Sequence, residues 1–322
     1  MLEIVMRNCS PLGGVVVLLG CAAAPAPGAA EAAESQQAPT TLAIPPPSAN
    51  TEPDNDEQAY TRASAGRQGD VATCVAALRE GRGLDLSGEN PEAQALYDEG
   101  MRHERAGRVV DARKVYYELI QKHPKSRSIP LAYVAFGEIF FDEAKADPSR
   151  YPLAIAAYQE TCKYPPPANT VYQLARLRLG EINLATGHYP RALSEQKKTI
   201  EYARQYADDR CAAPLAEAAR ADLIRTYAKA GRPERAYSFF KSLTNPGDVP
   251  QLSAMMVDLA EEFRKNGGHE RAAICLLAAL HHDASRATCE AAAAMVAHGS
   301  QSPATGKLGQ LESRWRKLCE RP

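Results

Sequence analysis

With one tryptophan in 322 residues, aromatics at 7% and no stretch where Val, Ile and Thr alternate with polar residues, the chain has little from which to build a sheet. It also lacks an excess of either charge. The 38 basic residues stand against 39 acidic ones, so no bulk field argues for nucleic acid as a partner. The usual catalytic signatures are missing: there is no GxSxG, no CxxC and no HExxH, and the seven histidines show no ligand spacing. Gly299 and Gly306 precede Lys307, but too many residues separate them for a phosphate loop, and Leu308 stands where a hydroxyl would hold magnesium. The expectation is therefore no enzyme, no cofactor, no metal site and no small-molecule substrate. A membrane-spanning run is lacking as well. From Leu12 to Gly20 there are nine residues, three of them glycine, where a span needs roughly 20 apolar residues.

The short apolar run has another reading. VVVLLGC at 15–21 stops at a cysteine and is followed by small residues and proline, which fits the apolar region of a secretory signal. Glu3 cancels Arg7, and a start at Met6 would leave Arg7 uncancelled. Leu18-Leu19-Gly20-Cys21 resembles the lipobox of bacterial lipoproteins; the alternative is an ordinary signal with an incidental cysteine. The resemblance implies that Cys21 is lipidated after residues 1–20 are removed, and that the acyl chains, palmitate among them, hold the chain stably on a bilayer. By the sorting rule of that family, Ala22 in place of Asp implies the outer membrane, periplasmic face.

Residues 21–66 are dominated by Ala, Pro, Ser, Glu, Gln and Thr, with PPP at 45–47. They offer almost nothing to bury, so ordering entropy wins and a disordered tether is expected. About 45 such residues reach on the order of 35–40 Å.

Residues 67–322 read as all-α, because alanine is abundant and β-branched runs are absent. An internal repeat sharpens this reading. In 93–126, Gly100, Gly107, Ala112, Tyr116 and Pro124 recur with counterparts in 130–167 (Gly137, Ala154, Tyr158, Pro166), 173–203 (Gly180, Gly187, Ala192), 217–248 (Gly231, Ala236, Phe240) and 253–285 (Ala260, Gly267, Ala272). The alanines at 112, 154, 192, 236 and 272 step by 42, 38, 44 and 36. This skeleton resembles the tetratricopeptide repeat; an unrelated helical bundle is the alternative. The resemblance implies a right-handed superhelical solenoid of about five helix pairs over 92–285. In each pair a small residue would lie against a small residue, a glycine would turn the chain, an aromatic would fill the gap to the next pair, and a proline would stop the second helix. Asn90-Pro91 reads as an N-cap and first turn. Residues 67–91, with Val71, Cys74, Val75 and Leu78 at helical spacing, are expected to cap one end. Residues 286–322, with Leu308, Leu311, Trp315 and Leu318 on one face, are expected to cap the other.

Such arrays bind partners along the face of their first helices, and the resemblance places there Tyr97, Met101, Arg105, Val134, Glu138, Phe141, Leu177, Glu181, Leu184, Arg225, Lys229, Glu261 and Arg264. The pattern is an apolar first half and a charged second half, suited to an extended or helical peptide; otherwise these are solvated faces. The Lys and Asn of the family's carboxylate clamp are absent. Partners would be other envelope proteins and, through the anchor, the bilayer. The chain is similar to the repeat-bearing lipoprotein of the outer-membrane barrel-assembly machinery, and to scaffolds of secretion and motility complexes. An adaptor that positions cell-wall hydrolases is the alternative. His281-His282 read as a cationic helix end. An oxidising compartment permits disulfides. Cys275 and Cys289 lie at near-equal distances from a hinge near Asp283, so they either bridge or pack as two buried thiols.

Overall fold

A computed structural model of the chain describes residues 70–299 and 306–320. Cys21, the signal 1–20 and the tether 21–66 lie outside the described residues, as do residues 300–305. Every regular element described is a helix, so the fold is all-α among the described residues. None of these helices is long and apolar enough to cross a membrane.

The helices follow one another through short connections. After α1 (70–79) come α2 (Pro91–Arg105) and α3 (Val109–Lys122), then α4 (Ile129–Ala144) and α5 (Tyr151–Thr161), then α6 (Tyr172–Ala185) and α7 (Tyr189–Gln205). They are followed by α8 (Ala212–Ala230) and α9 (Pro233–Lys241), α10 (Val249–Lys265) and α11 (His269–His282), and finally α12 (Arg286–Gly299) and α13 (Gly306–Cys319). The boundaries have local causes. Asn90 accepts a hydrogen bond from the backbone N–H of Glu92, and Pro91 occupies the first turn of α2. Gly107, Gly187 and Gly267 take φ of +71°, +76° and +74° between paired helices, a conformation that closes a helix cheaply only without a Cβ. α3 ends at Lys122, just before Pro124.

In the third pair a Cβ on Gly180 would lie 3.9 Å from the Ala192 carbonyl, the expected small-on-small approach, but in the first two pairs the nearest neighbour is a ring. A Cβ on Gly100 would overlap the ring of Tyr116, and one on Gly137 would overlap the ring of Tyr158. The glycine is therefore a seat for the tyrosine of its own pair. Tyr116 also meets Phe136 of the next pair edge-on at 6.1 Å, so one ring serves both contacts. In the third pair Gln196 replaces the tyrosine, and its Cγ would lie 3.0 Å from a Cβ on Gly180. The fourth pair departs further. Ile224 stands where the glycine would be, the chain at Gly231 is extended (φ −86°, ψ 166°), and α8 packs chiefly on α7 while α9 packs on α10 and α11.

The cysteines correct the expected bridge. Cys289 is bonded to Cys319, with Cα atoms 5.7 Å apart. Cys275 is a free, fully buried thiol in the core, where burial pushes its pKa up to about 12. Equal distance from a hinge fixes height along a hairpin but not the direction in which a side chain points. Cys275 faces the core, whereas Cys289 faces α13, which lies against both α11 and α12. Trp315 on α13 is half-buried against the same core. The second bridge, Cys74–Cys211, joins α1 to the start of α8 across 137 positions, with Cα atoms 5.5 Å apart.

α1 therefore reaches beyond the helix that follows it in the chain. Its terminal carbonyl, Arg79, accepts from the Tyr97 hydroxyl, and its guanidinium pairs with Glu104 of α2. Gly81 lies against Leu131 of α4, and Cys74 reaches α8.

Candidate protein-binding face

The residues expected to line one face divide into three groups. Tyr97, Val134 and Leu177 are at most 2% exposed. They belong to the same continuous core as Cys74 and Leu78 of α1, so they present no free surface, contrary to the sequence reading. The offset they share along α2, α4 and α6 faces a layer of the chain's own apolar side chains. Met101 and Phe141 are half-buried against that core, and Leu184 is half-buried.

The second group is charged but satisfied within the chain. Glu138 on α4 is buried, and it receives the Tyr158 hydroxyl at 2.6 Å and the Arg178 guanidinium through Nε (2.8 Å) and Nη2 (3.1 Å). The remaining arm of that fork, Nη1, donates to Glu181 at 2.8 Å. Arg178 also lies over the Phe141 ring at 5.2 Å. Burial alone would lower the Arg178 pKa, but Glu181 and Glu138 outweigh it and hold the cation more firmly than usual. Burial and the Glu138 charge push the Tyr158 hydroxyl far up, so it stays a donor. Next along the face, Asp222 on α8 pairs with Arg225. Burial raises the Asp222 pKa to about 6, despite the opposing pull of Arg225. At the other end Glu104 takes Arg79 and accepts from the Tyr116 hydroxyl at 2.9 Å. Two charged clusters thus bridge neighbouring helices, Arg79–Glu104 between α1 and α2 and Arg178–Glu138 between α6 and α4, while Asp222–Arg225 pairs within α8. Glu261 and Arg264 pair with each other one helix further on.

The third group is open. Arg105, Arg225 and Lys229 are exposed, although Arg105 lies 3.4 Å from Glu80 and Arg225 is tied to Asp222. The apolar first half of the face is therefore covered, while the charged second half keeps solvent-facing cations.

Sequence reasoning missed Arg79, Glu104, Arg178 and Asp222. The pairs Arg178/Glu181 and Asp222/Arg225 have the i, i+3 spacing that signals a helix-surface ion pair. The long-range members carry no such local mark.

Two other sequence features change meaning. His282 stacks on Tyr237 at 4.1 Å, and desolvation, His281 and Lys241 lower its pKa, so the expected cationic helix end is disfavoured there. The backbone N–H groups that open α13 donate to Glu270, at 2.8 Å from Lys307 and 3.5 Å from Leu308. A carboxylate from α11 thus fills the position an anion would take. No group of three His, Cys, Asp or Glu among the described residues could hold a metal. No protein-family model matches the chain, and neither a curated protein nor a solved structure matches it.

Proposed function

We propose that this chain is a lipid-anchored scaffold of the bacterial envelope, built as a right-handed tetratricopeptide solenoid that binds protein segments along the open, charged part of the face on α8 and α10. Cys21 carries the acyl chains, residues 21–66 hold the solenoid off the membrane, and the protein works at the periplasmic side of the outer membrane. The partner is another envelope protein in an outer-membrane assembly, secretion or motility complex.

One observation carries the reading. The glycine seat under a ring recurs in α2/α3 and α4/α5, and α6/α7 repeats it with a glutamine. A motif repeated at this spacing is what a stack of like units requires, since each unit buries its open face on its neighbour. The two disulfides are in keeping with an oxidising compartment.

The test uses the intact chain in its own membranes. Palmitate should label the protein, and Cys21→Ser should abolish the label and release the protein from the membrane fraction. Cross-linking followed by purification should then recover an envelope protein, and charge reversal at Arg225 and Lys229 should lose it. Label that survives Cys21→Ser refutes the anchor. Capture indifferent to the reversal refutes the face.

A further inference from the structure

The covered half of the binding face has an unusual cover. α1 lays Val71, Cys74, Val75 and Leu78 into the core shared with Tyr97, Val134 and Leu177, and turns Ala72, Thr73 and Ala76 to solvent. It touches α2 through Tyr97 and Glu104, and Arg79 also feels the charge of Glu138 on α4. These contacts have the form of a bound peptide. Apolar residues at i, i+3, i+4 and i+7 enter the face, and a cation at i+8 meets a carboxylate. A terminal cap would meet only the first helix pair, yet Cys74 reaches Cys211 at the start of α8.

The connection to α2 suits a removable segment. Residues 80–90 contain Gly81, Gly83 and Gly88, all at positive φ. Arg127 holds them to the helices by donating to the Asp85 carbonyl at 2.7 Å and, through its backbone N–H, to Glu89 at 2.7 Å, and Leu84 packs against the core. The one covalent hold on α1 itself is Cys74–Cys211, with both residues 8% exposed.

We propose that the face of α2 and α4 is a docking site for a short amphipathic helix, that α1 is its built-in occupant, and that Cys74–Cys211 is the latch. An external helix of the same pattern, apolar at i, i+3/i+4 and i+7 and cationic at i+8, enters when the latch is open. Opening is thiol–disulfide exchange with a dithiol reductant. One of its thiolates attacks a sulfur of the bridge, and its second thiol closes on the mixed disulfide. Two electrons pass to the pair, leaving two cysteine thiols and the oxidised reductant. A tethered helix competes at a high effective concentration, so unlatching alone weakens the block and loss of α1 affinity removes it. The proposal rests on the protein-binding reading above.

The experiment uses the full chain and a fluorescein-labelled peptide of residues 70–84 carrying Cys74→Ser, read by anisotropy. The disulfide-closed chain should not bind the peptide. The Cys74→Ser/Leu78→Asp chain should bind it at least about tenfold more tightly than it binds a scrambled peptide. Equal binding to the closed chain overturns the proposal, as does no binding to the variant while its helix content and melting are retained. Should the variant fail to fold, hydrogen exchange of the natural chain with and without dithiol decides the matter. Selective loss of protection at 71–79 supports an occupant, whereas joint loss across α1, α2, α4 and α6 makes α1 an integral part of the core. Capture of a partner through Arg225 and Lys229 with the latch closed, together with a negative peptide result, would overturn the role of α1 and leave the binding reading standing.

Discussion

Removing the Glu138 carboxylate is the sharpest perturbation these charged clusters offer. Its two oxygens accept from the Tyr158 hydroxyl at 2.6 Å and from two nitrogens of Arg178 at 2.8 and 3.1 Å. The pair is nearly dry, with side-chain exposures of 16% for Arg178 and 10% for Glu138. In Glu138→Ala the guanidinium keeps only Glu181, and the Tyr158 hydroxyl loses its acceptor in a buried site. Breaking a buried pair by deleting one partner costs about 3–5 kcal/mol, because the other charge stays desolvated. For a chain of this size that corresponds to a melting-temperature drop on the order of 10 °C. Replacing the whole cluster tests the reasoning. Glu138→Leu with Arg178→Met and Tyr158→Phe leaves nothing unpaired except Glu181, which is 24% exposed and can reach water. The triple variant should therefore be more stable than Glu138→Ala, even though it deletes more hydrogen bonds. Urea denaturation monitored by circular dichroism under non-reducing conditions reads both. If the triple variant is as unstable as the single one, the cost lies in lost contacts rather than in a stranded charge, and the argument is wrong.

The remaining expectations are of different kinds. The folded pKa of Asp222 lies above its ordinary value. The folded state therefore holds the extra proton, and stability falls as pH rises from about 4 to about 6. Asp222→Asn should flatten that slope and gain up to about 3 kcal/mol at neutral pH, and an unchanged slope in a pH series of urea melts would count against the assignment. Gly137→Ala drives a methyl to 2.4 Å from the Tyr158 ring, whereas Gly180→Ala meets nothing nearer than Gln196 Cγ at 3.0 Å. The first should cost about 1–3 kcal/mol and the second clearly less, and the reverse order in thermal melts would refute the ring-seat account. Ala112 is fully buried, so Ala112→Leu should lower the melting temperature while Ala30→Leu in the expected tether should not; equal shifts would contradict the pair packing. Mass spectrometry of a non-reduced digest should show peptides linked at 74–211 and at 289–319, with Cys162 and Cys275 alkylating after denaturation alone. A 275–289 link would overturn the observed pairing.

The sequence determined whatever is decided within a turn or two of chain. Asn90-Pro91 begins α2, Gly107, Gly187 and Gly267 close the first helices of their pairs, and Pro124 follows the end of α3. Capping bonds and φ preferences act over a few residues, so they are legible without tertiary contacts. The pairs Asp222/Arg225 and Glu261/Arg264 share this legibility, because i, i+3 neighbours meet on any helix. Tertiary structure alone decided that Glu138 would meet Arg178, 40 residues away. It also decided that Cys74 would meet Cys211, and that Cys289 would choose Cys319 over Cys275. Each depends on the azimuth at which a helix settles on its neighbours, and a shift of one position swings a side chain by about 100°. That is why an apolar stripe on residues 71–78 could be recognised as a helix face from sequence, while its meeting with Tyr97, Glu104 and Cys211 became visible only in the fold.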